Sequence, residues 1–233
     1  MKIYVISLKD SVGRRNAVKI ELDRIKCSWE FIDAVDGRRF TDHPPEFNSR
    51  RARRLLGYDL TSSEVACFLS HRSIWKILLD NKSSGLIFED DFVLKPHFNA
   101  VFNELDEMIE DYGFLRLQAL SDNLDKKIID YSRGVYQLAS DPLGATAYAL
   151  NYHVAEKLFN FATVIPEPLD HFIANERRHR IKQYSVIPYP VDIKNDTTTI
   201  TNREGRNPIR GIPKLVRSLW RFLDRTFSRD PWF

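Results

Sequence analysis

Short apolar runs alternate along this chain with segments in which apolar residues recur every three or four positions. The short runs predict buried strands, and the spacing of three or four predicts amphipathic helices. The predicted strands are residues 2–8, 29–32, 85–88, 114–117, 136–139, 146–150 and 181–186. The predicted helices are residues 11–25, 62–80, 151–161 and 169–179, with one more that starts at Pro96. Strands that alternate with helices predict an α/β sandwich with a mostly parallel sheet.

The predicted helix at residues 62–80 has a well-marked start. Thr61 supplies a hydroxyl at the N-cap and Glu64 supplies a carboxylate three residues later, which is the capping-box pattern. Ser70 and His71 fall in the middle of this helix. A histidine in that position is either a satisfied core residue or a ligand, and the helical pattern leaves both interpretations open.

The stretch from residue 38 to residue 58 is irregular and basic. Its pattern predicts either a mobile loop or a short basic helix. Four arginines cluster there: Arg50, Arg51, Arg53 and Arg54. They form a solvated face or, close to a phosphate site, contact a substrate.

Three consecutive carboxylates, Glu89, Asp90 and Asp91, follow the predicted strand at residues 85–88. At the carboxyl end of a buried strand in an open α/β sheet, such side chains project into the ligand crevice. Carboxylate oxygens suit hard cations such as Mg²⁺ or Mn²⁺, which in turn bind phosphate oxygens. The triplet therefore predicts either a metal-bridged nucleotide site or a solvated acidic turn.

The size and composition of the chain predict one domain with a tail. With 233 residues and 43% hydrophobic content, the chain is long enough to bury a full core. Its first apolar run is too short for a signal peptide, and no run approaches the roughly 20 apolar residues of a membrane span. We therefore expect a cytoplasmic protein. Cys27 and Cys67 lack metal-ligand spacing and are expected to be buried, reduced thiols.

The positive charge of the chain is concentrated near its C-terminus. From residue 210 onward there are six basic and two acidic residues, a net charge of +4, whereas the whole chain carries +3. The remaining residues therefore carry −1. Projected as a helix, the basic side chains fall within an arc of roughly 120° with the apolar ones opposite. This pattern predicts an amphipathic basic tail at residues 208–233, following a domain at residues 1–207.

An amphipathic basic helix is typical of a membrane interface, with arginines on anionic lipid and aromatic side chains in the headgroup region. The predicted lipid contacts are Lys214, Arg217, Trp220, Arg221 and Arg225. We favour this interpretation over a terminal helix packed on the domain, because Pro208 and Gly211 set the segment apart. Nucleic-acid binding would require a basic domain as well, which the charge of −1 does not support. The expected location is the inner face of the cytoplasmic membrane.

Four sequence blocks occur in order along the chain: residues 4–10 with Arg14 and Arg15, residues 31–37, residues 64–71 and residues 86–91. Together they resemble glycosyltransferase family 25, whose members build bacterial lipooligosaccharide, typically as β-galactosyltransferases. A weaker likeness continues to Leu169 and Asp170. The resemblance implies a fold of the glycosyltransferase-A type, a Rossmann-like α/β sandwich with a mixed, mostly parallel sheet that uses a nucleotide-sugar donor and usually a divalent metal.

The resemblance also implies roles for particular residues. Asp91 is the expected ligand of Mn²⁺ or Mg²⁺, and Glu89 is expected to bind the metal directly or through water and ribose. The remaining donor-site residues implied by the resemblance are Ser7, Leu8, Arg14, Arg15, Asp33, Asp36, Ser70, His71 and Asp90. Asp192, Asn195 and Asp196 are the candidates for a third metal ligand.

The chemistry implied is inverting transfer of a hexose, foremost galactose from UDP-galactose, onto a lipooligosaccharide core sugar. Inversion requires a base on the acceptor side, and Asp170 is the candidate, although it could equally cap the following helix. UDP-glucose or another nucleotide sugar is an alternative donor.

Two other functional classes are weighed against this one. A haloacid-dehalogenase-type phosphotransferase would carry its aspartates after the first strand, where this chain has Ser7, Leu8 and Lys9. A catalytically inactive relative could instead serve as a membrane-associated binding protein, but the retained acidic triplet argues against that function.

Overall fold

The computed structural model describes residues 1–120, 125–138 and 142–194. Its strands are β1 (Lys2–Ser7), β2 (Trp29–Asp33), β3 (Gly85–Glu89), β4 (Phe92–Leu94), β5 (Phe114–Arg116), β6 (Lys126–Asp130), β7 (Val135–Leu138), β8 (Ala147–Leu150), β9 (Tyr184–Val186) and β10 (Val191–Ile193). Its α-helices are α1 (Val12–Leu22), α2 (Ser49–Leu56), α3 (Ser62–Asn81), α4 (Phe98–Tyr112), α5 (Tyr152–Phe161), α6 (Leu169–Ala174) and α7 (Glu176–His179). A short 3₁₀ helix covers Gly37–Arg39.

Within the described ranges, eight strands form one sheet in the order β2-β1-β3-β8-β5-β9-β7-β6, and β4 pairs with β10 in a second, two-stranded sheet. β1 runs parallel to β2 and β3, and β5 runs parallel to β9. β8 and β7 are antiparallel to both of their neighbours. Of these eight described strands, six therefore point in one direction and two in the other. The predicted mixed, mostly parallel sheet of a Rossmann-like sandwich is confirmed.

Alternating residues of β1 face two different hydrophobic layers. Tyr4 and Ile6 pack into a core with the apolar sides of α3, α5 and α6. Ile3 and Val5 pack into a second core with α1 and α4. Since successive side chains of a strand point to opposite faces, both faces of the sheet are covered by helices.

The capping box predicted at the start of α3 is present. Thr61 Oγ1 accepts a 3.2 Å hydrogen bond from the Glu64 amide, and the Glu64 carboxylate accepts a 2.9 Å bond from the Thr61 amide. The two bonds satisfy amide groups that a helix start would otherwise leave without partners. This start fixes the rotational position of α3, and with it the direction of Ser70 and His71.

The basic stretch after β2 contains a short helix rather than a continuous loop. Asn48 caps α2 by accepting a 2.9 Å hydrogen bond from the Arg51 amide. Gly57 ends the helix with a φ of 84°, a left-handed conformation that glycine adopts without strain. Ala52 and Leu55 face the protein, which leaves the arginines on the outer side.

Several boundaries differ from the sequence prediction. The predicted helix at residues 169–179 is interrupted at Asn175, where the backbone leaves helical geometry and separates α6 from α7. β4 and β10 were not predicted, because a three-residue strand is too short to show an alternating pattern. β6 was not predicted either, and its first four residues are exposed, so it has little hydrophobic signature.

In the described part of the chain, no helix combines the length and hydropathy that crossing a bilayer requires. The predicted tail at residues 208–233, its lipid-contacting side chains and the domain boundary at residue 207 lie outside the described residues. Ala139, Asn195 and Asp196 also lie outside them.

Candidate active site

The carboxyl ends of β1, β2 and β3 meet at one edge of the sheet. In the parallel pairing, Ser7 lies beside Asp33 and Ile6 lies beside Glu89. Ligands of open α/β sheets bind at this edge, because the strand ends leave a crevice there. The sheet therefore brings together residues from three separated sequence blocks that predicted a donor site.

The three consecutive carboxylates have three different surroundings. Glu89 lies on the same strand face as Ile87, which packs towards α3. Asp90 and Asp91 form the turn between β3 and β4. The Asp91 carbonyl accepts a 2.7 Å hydrogen bond from the Lys194 amide, which joins this turn to the residue after β10.

Asp90 is held by an internal pair of donors. Ser7 Oγ donates a 2.6 Å hydrogen bond to Asp90 Oδ2, and Arg14 Nη1 donates a 2.9 Å bond to Asp90 Oδ1. The Asp90 residue is only 8% exposed, so both bonds lie in a poorly solvated place where charge-assisted contacts are strong. Ser7, Arg14 and Asp90 thus form one connected unit at the sheet edge.

Arg15 connects the ends of β1 and β2 through hydrogen bonds and an ion pair. Its Nη2 donates 2.8 Å to the Ser7 carbonyl, and its Nε donates 3.1 Å to the Leu8 carbonyl. The same guanidinium forms an ion pair with Asp33 and lies 4.7 Å from the centroid of the Phe31 ring. Arg15 therefore fixes the loop after β1, on which Leu8 lies.

Glu89 is surrounded by donors from α3 and from the residue before β8. His71 Nε2 lies 3.4 Å and Cys67 Sγ lies 3.7 Å from Glu89 Oε1, while Thr146 Oγ1 donates 3.2 Å to Oε2. Burial, the largest single influence, acts to raise the pKa of Glu89, but the contacts with His71, Thr146 and Cys67 together outweigh it and the pKa is lowered. Glu89 is therefore a carboxylate at neutral pH.

On the side of the ring away from Glu89, His71 contacts Tyr148, which in turn contacts Trp75. Trp75 Nε1 donates 3.0 Å to the Tyr148 hydroxyl, which lies 2.8 Å from His71 Nδ1. Burial raises the pKa of Tyr148, so its hydroxyl keeps a proton to donate to Nδ1. These bonds assign the remaining imidazole proton to Nε2, facing Glu89. His71 thus has both a structural partner and an active-site partner.

Asp91 differs from its neighbours because its buried Oδ1 has no hydrogen-bond partner among the described residues. Burial raises its pKa to about 7, and the negative charges of Glu89 and Asp90 add to this effect. A buried carboxylate oxygen without a partner is unfavourable unless a cation or another donor reaches it. The residues present therefore fit a hard divalent ion at Asp91, and the assignment of Asp91 as a metal ligand stays a prediction.

Asp170 lies at the start of α6, where its Oδ1 accepts a 2.9 Å hydrogen bond from the His171 amide. Its charge also acts on the pKa of Cys67, which is raised mainly by burial and next by Glu89, with smaller effects of Asp170 and Asp91. Asp170 is therefore close enough to Cys67 for its charge to act there.

Two predicted donor-site residues are engaged in internal contacts. Ser70 Oγ accepts 2.9 Å from the Val35 amide and donates 2.7 Å to the Ala66 carbonyl, so it fastens the segment after β2 to α3. Asp36 pairs with Arg38, whose hydrogen bond lowers the pKa of Asp36 to about 2. Both side chains therefore have internal partners in this structure.

Sequence reasoning missed the contributions of Cys67, Thr146, Tyr148 and Trp75. Cys67 and His71 are four residues apart on a predicted helix, and this spacing on one helix face was an available signal. Both cysteines are free and only partly buried. Tyr148 carried no such signal, because the antiparallel insertion of β8 beside β3 is a tertiary feature.

Comparison with known proteins defines the class to which this fold and site belong. Residues 1–173 match the model of glycosyltransferase family 25, described as an LPS biosynthesis protein family. Because the match extends over most of the chain, the chain belongs to glycosyltransferase family 25.

Individual relatives include bacterial and animal proteins. Lipooligosaccharide biosynthesis protein lic2B of Haemophilus influenzae is 32% identical over 167 residues, covering 66% of this chain and 61% of that protein. Procollagen galactosyltransferase 1-A of Xenopus laevis is 25% identical, covering 82% of this chain and 34% of that protein. Inactive glycosyltransferase 25 family member 3 of Mus musculus is 27% identical, covering 99% and 40%. The chain thus spans less than two thirds of the length of these relatives.

Solved structures give more distant matches. The galactosyltransferase LgtC in complex with donor and acceptor sugar analogs is 12% identical, with a TM-score of 0.40, covering 84% of this chain and 87% of that one. Mouse xyloside xylosyltransferase 1 is 13% identical, with a TM-score of 0.39, covering 78% and 70%.

Proposed function

We propose that this chain is an inverting, metal-dependent glycosyltransferase that moves a sugar from a nucleotide-sugar donor to a sugar acceptor. Membership of glycosyltransferase family 25 supports the reaction class. The observation that carries the proposal is the buried Asp91 oxygen without a partner among the described residues, at the sheet edge that also holds Arg14 and Glu89.

The leaving group in such a reaction is a nucleoside diphosphate, on which negative charge develops as the glycosidic bond breaks. A Mn²⁺ or Mg²⁺ ion held by Asp91, with Glu89 as a second ligand, would neutralise that charge. Arg14 and Asp90 keep the turn carrying Asp91 in place. Arg15 holds the β1 loop that borders the donor.

The attacking acceptor hydroxyl must lose a proton to a base on the opposite side of the sugar ring. Asp170 is the proposed base, because it lies half-buried in the first turn of α6 and its charge acts on Cys67, which contacts Glu89. A carboxylate within hydrogen-bond reach of the hydroxyl would accept the proton as the new bond forms.

For the substrates, galactose from UDP-galactose is the favoured donor sugar, and a lipooligosaccharide core sugar is the favoured acceptor. The description of lic2B as a lipooligosaccharide biosynthesis protein supports the acceptor, and the procollagen galactosyltransferase relative supports galactose. UDP-glucose or another nucleotide sugar is the second choice, since loop changes around a shared donor site alter specificity.

A catalytically inactive role is the competing candidate. The match with the mouse relative covers 99% of this chain, and that relative is described as inactive. This description supports the alternative in which the chain is a membrane-associated binding protein without catalytic activity. The two functions differ in one measurable respect, since only the enzyme releases nucleotide.

The proposed place of action is the cytoplasmic membrane surface, reached through the basic amphipathic segment at residues 208–233. Its arginines would contact anionic lipid, and Trp220 would lie in the headgroup region.

A screen of nucleotide sugars tests the proposed reaction. Purified protein is incubated with Mn²⁺, a sugar acceptor from the lipooligosaccharide core, and each donor of a panel, and released nucleotide is measured. We expect metal-dependent release, greatest with UDP-galactose. Turnover that persists in EDTA would contradict the metal role. Nucleotide-sugar binding without any release would support the inactive alternative.

A further inference from the structure

One turn of α3 presents two metal-ligating side chains to the same carboxylate. Cys67 and His71 are four residues apart, so their side chains lie on one helix face. Both contact Glu89 Oε1, at 3.7 Å from Cys67 Sγ and 3.4 Å from His71 Nε2. A thiol, an imidazole and a carboxylate therefore converge on one point.

The spacing of these donor atoms fits a tetrahedral ion. Donors that lie about 2.0 to 2.3 Å from a tetrahedral zinc ion are roughly 3.3 to 3.8 Å from one another. Two of the three separations, 3.4 Å and 3.7 Å from Glu89 Oε1, fall within this interval. The third, between Cys67 Sγ and His71 Nε2, is at most 4.8 Å.

We propose that Cys67, His71 and Glu89 form a binding site for a thiophilic divalent cation of the zinc class, which shares Glu89 with the hard-cation site at Asp91 but differs from it in its other ligands. Thiolate and imidazole ligands select Zn²⁺ and its substitute Co²⁺ over Mg²⁺ or Mn²⁺, which prefer oxygen. Three protein ligands leave the fourth tetrahedral position for water or another small ligand.

The groups around the three ligands support their orientation. Thr146 holds Glu89 Oε2, which leaves Oε1 directed at Cys67 and His71. Tyr148 contacts His71 Nδ1 and accepts a hydrogen bond from Trp75, and its oxygen can accept a hydrogen bond from Nδ1–H once Nε2 binds a metal. A ligating histidine ordinarily has such a partner on its other nitrogen.

Ion binding at this site replaces hydrogen bonds by metal bonds. The Cys67 thiol gives up its proton to solvent, and the imidazole proton of His71 moves from Nε2 to Nδ1. One proton is therefore released for each ion bound, while the Glu89 carboxylate remains unprotonated.

The site shares Glu89 with the proposed donor site, and this consequence rests on the proposed function. An ion between Cys67 and His71 draws Glu89 Oε1 towards α3, away from the turn that carries Asp91. We therefore expect Zn²⁺ to inhibit nucleotide release that Mn²⁺ supports, and Cys67→Ser to relieve the inhibition.

Cobalt titration of the full-length protein tests the site without any turnover. One equivalent of Co²⁺ should give a thiolate-to-cobalt charge-transfer absorption in the wild type, and Zn²⁺ should abolish it. Cys67→Ser should lose the absorption and bind Zn²⁺ at least about 100-fold more weakly, since even the loss of outer partners of a ligand weakens metal binding 10- to 100-fold. Cys27→Ser is the matched control and should behave like the wild type.

Three results would overturn the proposal: no charge-transfer absorption in the wild type, the same absorption in Cys67→Ser, or its loss in Cys27→Ser. Nitrogen-15 spectra of His71 give a second measurement on the wild type, since Zn²⁺ should move its proton from Nε2 to Nδ1. An unchanged tautomer at saturating Zn²⁺ would also overturn it. Because none of these measurements needs a sugar donor, they stand even if the protein proves to be no transferase.

Discussion

Ser7 and Asp90, 83 residues apart in the chain, are joined by a 2.6 Å hydrogen bond from the Ser7 hydroxyl to Asp90 Oδ2. This bond connects the end of β1 to the turn after β3, and Arg14 completes it from α1. The loop that borders the donor and the turn that carries Asp91 are consequently held as one unit.

Replacing Ser7 by alanine removes the shorter of these two bonds to Asp90. A hydrogen bond to a charged, poorly solvated carboxylate contributes about 1.5 to 3 kcal/mol, so we expect Ser7→Ala to lower the free energy of unfolding by about 2 kcal/mol. Denaturant titration measures this change. Ser11→Ala is the matched control, because the Ser11 side chain makes no capping bond to α1, and its effect should stay within about 0.5 kcal/mol. Equal effects of the two variants would contradict the role of the bond.

The substitution Asp91→Asn is expected to change stability and activity in opposite directions. Asp91→Asn removes a negative charge beside Glu89 and Asp90, so the metal-free protein should be stabilised by about 1 kcal/mol, a rise of about 2 to 4 °C in Tm. Metal-dependent nucleotide release should be lost, because the neutral amide is a poor ligand for a hard cation. Asp42→Asn changes an exposed aspartate and should alter neither property. Full activity of Asp91→Asn would refute the metal role of Asp91.

The proposed base is tested by Asp170→Asn. The amide oxygen of asparagine can still accept the hydrogen bond from the His171 amide, so Tm should remain unchanged. General-base catalysis contributes about 10² to 10⁴ in rate, and we expect kcat to fall by at least about 100-fold with donor affinity preserved. Initial-rate kinetics and calorimetry of donor binding separate these quantities. An unchanged kcat would leave Asp170 with only its role at the start of α6.

His179 provides a pH-dependent test of stability. It is 2% exposed, its Nε2 donates 2.9 Å to the Ile173 carbonyl, and its Nδ1 accepts 3.1 Å from the Ile181 amide. Burial lowers the pKa of His179 to about 4, from an ordinary value of 6.5. Between these two values the unfolded chain binds a proton that the folded protein does not bind. Stability therefore falls as the pH decreases from 6.5 towards 4.

From pH 7 to pH 5 this effect amounts to about 2 kcal/mol. Unfolding titrations at both pH values should show a loss that is smaller by about this amount in His179→Gln than in the wild type. His153→Gln, which alters an exposed histidine, should keep the pH dependence of the wild type. A wild-type pH dependence in His179→Gln would mean that other groups cause the loss.

Membrane association through the tail is tested by removing residues 208–233. The shortened protein should no longer cosediment with vesicles containing anionic lipid, because each basic residue near such a surface contributes about 1 kcal/mol. Neutral phosphatidylcholine vesicles are the control and should bind the full-length protein weakly. Turnover of a small soluble acceptor should be preserved. If both forms bind anionic vesicles equally, the tail is not the membrane contact.

The sequence located the main elements of the fold because their patterns are local. The capping box of Thr61 and Glu64 marked the start of α3, and apolar spacing marked the helices that cover the sheet. β4 and β10 escaped prediction because three residues carry no period, and β6 because it is largely exposed. The break at Asn175 was also missed, because residues 169–179 show one continuous helical pattern.

By itself the sequence determined the family, the α/β class and the position of three carboxylates at the end of a buried strand. Only the tertiary structure decided how those carboxylates differ. The strand alternation directs Glu89 towards Cys67 and His71, the turn places Asp90 between Ser7 and Arg14, and Asp91 is left with an unpartnered oxygen among the described residues. These partners lie between 18 and 83 residues away in the chain. Sheet pairing and helix packing bring them together, because no local pattern spans such separations.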